Sequence, residues 1–152
     1  MVWNLVAFYH CITDNIPFPE FTYTYEFNSV SRVGSITVTT VDAPVSTRVR
    51  WTNTTDLVAP RRDFRQRILN GSSVIDNPAT WYEDIALDLG EGVLLARYPY
   101  PPPGAGYMAF YIELEYLTQN LETIILTTEA ITIPPTFPYP GCQFEECTGT
   151  LV

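Results

Sequence analysis

Lysine is absent from the chain, and its basic residues are eight arginines beside a single histidine. Seventeen acidic residues stand against them, giving a formal net charge of -9. That balance repels phosphate backbones and anionic headgroups, so nucleic acid is excluded as an expected partner. Cysteine is scarce, three in 152 residues, and a chain of this length reads as one domain able to bury a core without metals or dense disulfides. Asn4 and His10 interrupt the best apolar run, which leaves nothing near the roughly 18 to 20 residues of a membrane span. A basic region followed by an apolar stretch and a small-residue cleavage site is also missing, so no signal peptide is expected in this chain.

Catalytic signatures are missing too. No serine stands in a Gly-x-Ser-x-Gly elbow, and Ser35, which follows Gly34, falls inside an apparent strand. The lone His10 falls in an expected helix, where a surface or packed imidazole is the ordinary role. A metal site would need His10, Cys11, Cys142 and Cys147 to converge, and the C-x4-C spacing is not the tight C-x2-C of zinc knuckles. The adjacent acids Glu83-Asp84 and Glu145-Glu146 point apart on most backbones. No glycine-rich turn opens a helix to cradle phosphate. Neither a catalytic centre nor a cofactor or metal site is expected.

What the chain does have is aromatic residues at 14 % and 13 prolines, with charged residues at only 16 %. This is the profile of a β-rich secreted domain rather than a helical or disordered one. The opening places Val2, Leu5, Val6, Tyr9 and Ile12 at helical spacing while Trp3 and Phe8 load another face. Such a short helix wants burial against a larger body; Asn15, Pro17 and Pro19 stop it. Period-two alternation follows in "FTYTYEF", "SITVTTV", "STRVRWT", "RDFRQRIL", "GVLLARY", "YMAFYIELEYL" and "TIILTTEAITI". The expected fold is all-β, an antiparallel immunoglobulin-like β-sandwich of about seven strands with a short N-terminal helix. The stretch "VIDNPATWYEDIALDLGEG" reads as a loop with one helical turn, and "PYPPPGAG" as an extended link. The division is then a terminal helix over 1–16, the sandwich over 17–140 and a cysteine-containing tail over 141–152.

The segment "RRDFR" with Arg67 holds four of the eight arginines. In a strand Arg61, Asp63, Arg65 and Arg67 share one face, with Phe64 and Ile68 on the core side. In "AFYIELEYL" Glu113 and Glu115 share the face opposite Phe110, Ile112 and Leu114. The spacing predicts neighbouring strands tied by forked guanidinium–carboxylate bonds, an ion-pair lattice of Asp63, Glu113 and Glu115 with these arginines. The rival reading makes Arg61, Arg65 and Arg67 a surface for an anionic ligand or receptor. Trp51, Phe64, Phe110, Ile112 and Leu114 are expected core, and Phe64→Ala is expected to cost about 3 to 5 kcal/mol.

Cys142 and Cys147 are close enough in sequence to form a disulfide in an oxidising compartment, and Cys11 is then left over. Asn53-Thr54-Thr55 and Asn70-Gly71-Ser72 satisfy the N-glycosylation rule. Both features suit an extracellular protein.

Three strings taken in order, "RRDFR" shortly after "VRWTN", then "GYMAFYIELEY", then "TTEAITIPPTFPYPGC", resemble the C-terminal region of the PhoPQ-activated pathogenicity-related family, in which the autocrine proliferation repressor A proteins are included. The opening helix followed by "P-x-F" resembles the last helix of that family's preceding domain. The resemblance implies a secreted α/β-hydrolase-like protein with an appended β-sandwich, and no residue here matches the family's nucleophile or base. It implies for this chain a noncatalytic module, a structural cap or interaction surface for the hydrolase-like domain, separated from the signal peptide and that domain. A free-standing binding or signalling module is the alternative expectation.

Overall fold

The computed structural model describes residues 2–55, 62–70 and 72–136. The expected helix is α1, Val2–Thr13. Asn15 ends it in the left-handed conformation, with φ 53°. Ile16 N–H then donates back to the Cys11 carbonyl at 2.9 Å, which satisfies an orphan carbonyl of the last turn.

The strands are β1 (Phe21–Asn28), β2 (Val33–Thr40), β3 (Ser46–Asn53), β4 (Arg67–Asn70), β5 (Ser73–Asp76), β6 (Tyr82–Asp84), β7 (Leu87–Gly90), β8 (Val93–Pro99), β9 (Met108–Leu117), β10 (Thr123–Thr127) and β11 (Ile131–Ile133). One sheet runs β1-β2-β8-β7 and the other β10-β9-β3-β6, with β11 also on β9. All the pairings are antiparallel. Setting aside β4, β5 and β11, the orders 1-2-8-7 and 3-9-10 reproduce the two sheets of an immunoglobulin-like sandwich, and β6 adds an edge strand beside β3.

Alternation explains the layers. Ile36 and Val38 from β2 and Leu94 and Ala96 from β8 face Val49 from β3 and Phe110, Ile112 and Leu114 from β9, all of them buried. Trp51 packs against this core from β3. Tyr98 meets Phe110 edge-on at 4.9 Å, joining the two sheets through an aromatic pair.

Three sequence expectations are corrected. "RDFRQRIL" yields a strand only from Arg67, and that strand pairs with β5 in a separate two-stranded sheet. Phe64 lies before it, half-buried and outside the core cluster, so truncating it leaves no large central cavity. The stretch read as loop and helical turn instead carries β6 and β7, because it passes from the edge of one sheet to the edge of the other. "TIILTTEAITI" divides into two strands: Thr127 stands opposite Glu113, but Ile131 stands opposite Phe110, a shift of one residue. The buried Thr128 fills that irregularity, its Oγ1 accepting the Ile112 N–H at 3.0 Å and its own N–H donating to the Ile112 carbonyl at 3.0 Å.

Gly34 marks a close approach of the two sheets. A Cβ there would lie 2.5 Å from Ile133 Cγ2 and 3.7 Å from the Phe110 ring. Gly34→Val is expected to destabilise the fold by about 1 to 3 kcal/mol through overpacking. Urea unfolding checks this, and an unchanged midpoint would contradict the close approach.

Candidate functional site

The face of β3 turned away from the core presents Arg48 and Arg50, while Val49 and Trp51 alternate toward the interior. On β9 the corresponding face presents Tyr111, Glu113 and Glu115, and β6 supplies Glu83. Register sets the contacts, since Arg48 stands directly opposite Glu113 and Arg50 directly opposite Glu83. Arg48 reaches Glu113 Oε1 at 3.3 Å, Glu115 Oε2 at 3.3 Å and Glu83 Oε1 at 3.6 Å. Arg50 reaches Glu83 Oε2 at 2.7 Å and Glu113 Oε1 at 3.2 Å. Two guanidinium groups thus bind three carboxylates across three strands.

Glu113 is the hub, with its side chain 14 % exposed and both arginines on one oxygen. The Glu113 hydrogen bond is the main cause that raises the Arg50 pKa above its ordinary value. Burial, then the charge of Glu113, pushes the Tyr111 phenol up, with Arg50 opposing. Trp81 leans on Tyr111 at 5.4 Å. At the sandwich mouth burial first, then a hydrogen bond from Tyr98 Oη to Asp84 Oδ2 at 3.0 Å, raises the Tyr98 phenol well above its ordinary range. These groups hold one another, an arrangement that locks strands together and holds no nucleophile beside a base.

The lattice expected from Arg61, Arg65 and Arg67 is therefore built from other arginines. Its carboxylates Glu113 and Glu115 are in place, but Arg48 and Arg50 meet them because β3, rather than β4, lies beside β9. Asp63 belongs to a separate contact, in which Arg65 Nε and Nη2 donate to its two oxygens at 2.9 and 2.6 Å. Arg67 Nε lies 4.0 Å from Asp76 Oδ1 on the neighbouring strand. Arg61 lies outside the described residues, as do Cys142 and Cys147. Asn53 is exposed at the end of β3, between the buried Thr52 and Thr54. Asn70 lies in β4, and its sequon passes through residue 71, outside the described residues. The signal for Arg48 and Arg50 was their alternation with Val49 and Trp51 in "STRVRWT".

A second surface comes from α1. Its sandwich side carries Ala7 and Cys11, both buried. Asn4 pairs with the edge of β10 as a strand would, its Oδ1 accepting the Ile125 N–H at 2.7 Å and its Nδ2 donating to the Ile125 carbonyl at 3.2 Å. His10 Nδ1 lies 2.7 Å from Glu122 Oε1. Burial, with Glu122 and Asp14 adding, raises the Cys11 thiol, which disfavours the reactive thiolate. The large side chains face outward, with Trp3 82 % exposed, Leu5 64 %, Tyr9 63 % and Ile12 59 %. Among the described residues no three metal-ligating side chains converge, and no helix is long and apolar enough to cross a membrane.

These features define an all-β sandwich with a helix clamped to one sheet edge and an ion-paired outer sheet face. The chain is similar to the autocrine proliferation repressor protein A of Dictyostelium discoideum, 26% identical over 167 residues that cover 97% of this chain and 31% of that protein. This is a distant relationship, and the chain spans about a third of that relative's length. No family model matches it, and neither does any solved structure.

Replacing Glu113 by Ala is expected to cost about 1 to 3 kcal/mol, because two charge-assisted partners lose their shared acceptor. Denaturant unfolding measures it. A loss no larger than that of the exposed Glu91→Ala would contradict the hub role.

Proposed function

We propose that this chain is a noncatalytic β-sandwich module of a secreted protein, serving as a structural cap and interaction surface for an α/β-hydrolase-like domain. The carrying observation is the polarity of α1: small residues and Asn4 bind the sandwich, while Trp3, Leu5, Tyr9 and Ile12 stand in water. An exposed apolar helix face of this kind marks a surface made to be covered. The similarity across 31% of a longer protein supports a covering domain. Within this reading the chain is a C-terminal module of the PhoPQ-activated pathogenicity-related family. The hydrolase chemistry of the parent then resides in the covering domain, and the Arg48–Glu113 lattice keeps the sheet in register beneath it.

Association between this chain and the remainder of the Dictyostelium relative, produced separately and followed by sedimentation, tests the reading. Leu5→Asp/Ile12→Asp is expected to weaken association at least about tenfold while the melt of the chain is retained. Equal association of both forms, or turnover of ester or peptide substrates by the chain alone, would overturn it. The secreted setting is checked by the mass of the native protein: a glycan removable at Asn53 is expected, and an unmodified Asn53 in protein recovered only from inside cells would count against it.

A further inference from the structure

The sheet β1-β2-β8-β7 ends at β1, and among the described residues no strand pairs with its outer side. Two bonds flanking the ladder fix the direction of every peptide in that edge. Val41 N–H donates to the Glu20 carbonyl at 2.9 Å, whereas Thr40 N–H donates to the Gly92 carbonyl at 2.9 Å on the far side of β2. Odd-numbered residues of β2 therefore bond toward β1 and even-numbered ones toward β8. With Phe21 opposite Thr40 and the register unbroken to Asn28 opposite Val33, the even-numbered residues of β1 bond to β2. Phe21, Tyr23, Tyr25 and Phe27 direct their N–H and C=O groups outward.

Within the strand itself most of the devices that prevent strand addition are absent. Over Phe21–Asn28 it has no proline, no basic residue and no register shift, and Glu26 is its single charge. Its aromatic row is also incompletely covered. Tyr23 and Tyr25 lie on the sheet face of Val38 and Ile36, yet are 38% and 49% exposed. Phe21 and Phe27 near the strand's ends pack against the core, while its centre stands open.

We propose that β1 pairs antiparallel with β1 of a second copy of this chain, about a two-fold axis at Thr24. In that register Phe21 meets Phe27 and Tyr23 meets Tyr25, so all four outward-pointing residues of each copy exchange backbone bonds and the aromatic rows meet across the strands. Glu26 faces Thr22, and no like charges stand opposite one another. Moving the axis to Tyr23 puts Phe27 against Pro19, which has no N–H; moving it to Tyr25 puts Phe21 against Ser29, beyond the strand; moving it to Glu26 opposes two glutamates. Self-complementarity of this kind favours a second copy over an unrelated extended peptide. The net charge of -9 on each copy makes pairing tighter as salt rises.

Thr24→Cys, in a Cys142→Ser/Cys147→Ser background, tests the register. Across the axis Thr24 forms a non-hydrogen-bonded pair with Cα atoms about 4.5 Å apart, inside the roughly 4.4 to 6.8 Å range of disulfides. Under mild oxidation a covalent dimer is expected from Thr24→Cys and not from Thr22→Cys, whose neighbour is Glu26. Sedimentation is expected to show a dimer for the unsubstituted chain, and a monomer of unchanged circular dichroism for Tyr25→Pro, which loses an outward N–H and no β1–β2 bond. A monomer at every concentration and salt, equal cross-linking of the two cysteine variants, or a dimer retained in Tyr25→Pro would each overturn the proposal. The α1 face takes no part in the pairing, so its role in domain association stands or falls separately.

Discussion

The pairing of β3 with β9 is the constraint from which both faces of the larger sheet follow. One register places Val49 beside Ile112 on the inner side and Arg48 beside Glu113 on the outer side. Sliding β3 by one residue would turn two arginines into the core and expose Val49 and Trp51. Hydrophobic burial and charge pairing therefore select the same alignment. Burial supplies most of the stability, since partly exposed ion pairs contribute modestly. The lattice reinforces that choice, because this alignment gives its guanidinium groups carboxylates on both neighbouring strands.

From that centre the rest is assembled outward. Thr54 extends the β3–β9 contact, giving its N–H to the Tyr107 carbonyl at 2.8 Å and receiving the Tyr107 N–H on Oγ1 at 2.9 Å. Thr128 accommodates the register change on the other side of β9. Asn4 covers one backbone step of the β10 edge and thereby fixes α1, leaving the large side chains of the helix outward. The other sheet closes over this body through Gly34 and Tyr98, but the central tyrosines of its β1 strand stay partly uncovered. The molecule thus carries two unlike surfaces, an apolar helix face and an open strand edge, on a frame whose β3–β9 outer face is ion-paired.

Much of the frame was legible in the sequence. Alternation identified β1, β2, β3, β8 and β9, because β2, β3, β8 and β9 each have a buried face and a wetter one, and β1 alternates aromatic with polar residues. The helix and its stop at Asn15 were legible from spacing and prolines. The arginine cluster misled because density of charge in sequence was read as density in space. "RRDFR" attracts attention, whereas Arg48 and Arg50 are separated by Val49 and look like ordinary strand polarity. Which strand lies beside β9 is a matter of topology, set by contacts distant in sequence, and local pattern carries no information on it. The same limit hid β6 and β7, whose outward apolar side chains, such as Leu87 at 58% exposure, break the expected pattern.

Native-state hydrogen exchange is the most direct measurement of whether β3 and β9 organise the molecule. The account predicts that amides of Val49, Ile112 and Leu114 exchange only through global unfolding, while those of β4 and β5, in their separate two-stranded sheet, exchange through local opening. Exchange of the β3 and β9 amides as fast as that of β4 and β5 would contradict it.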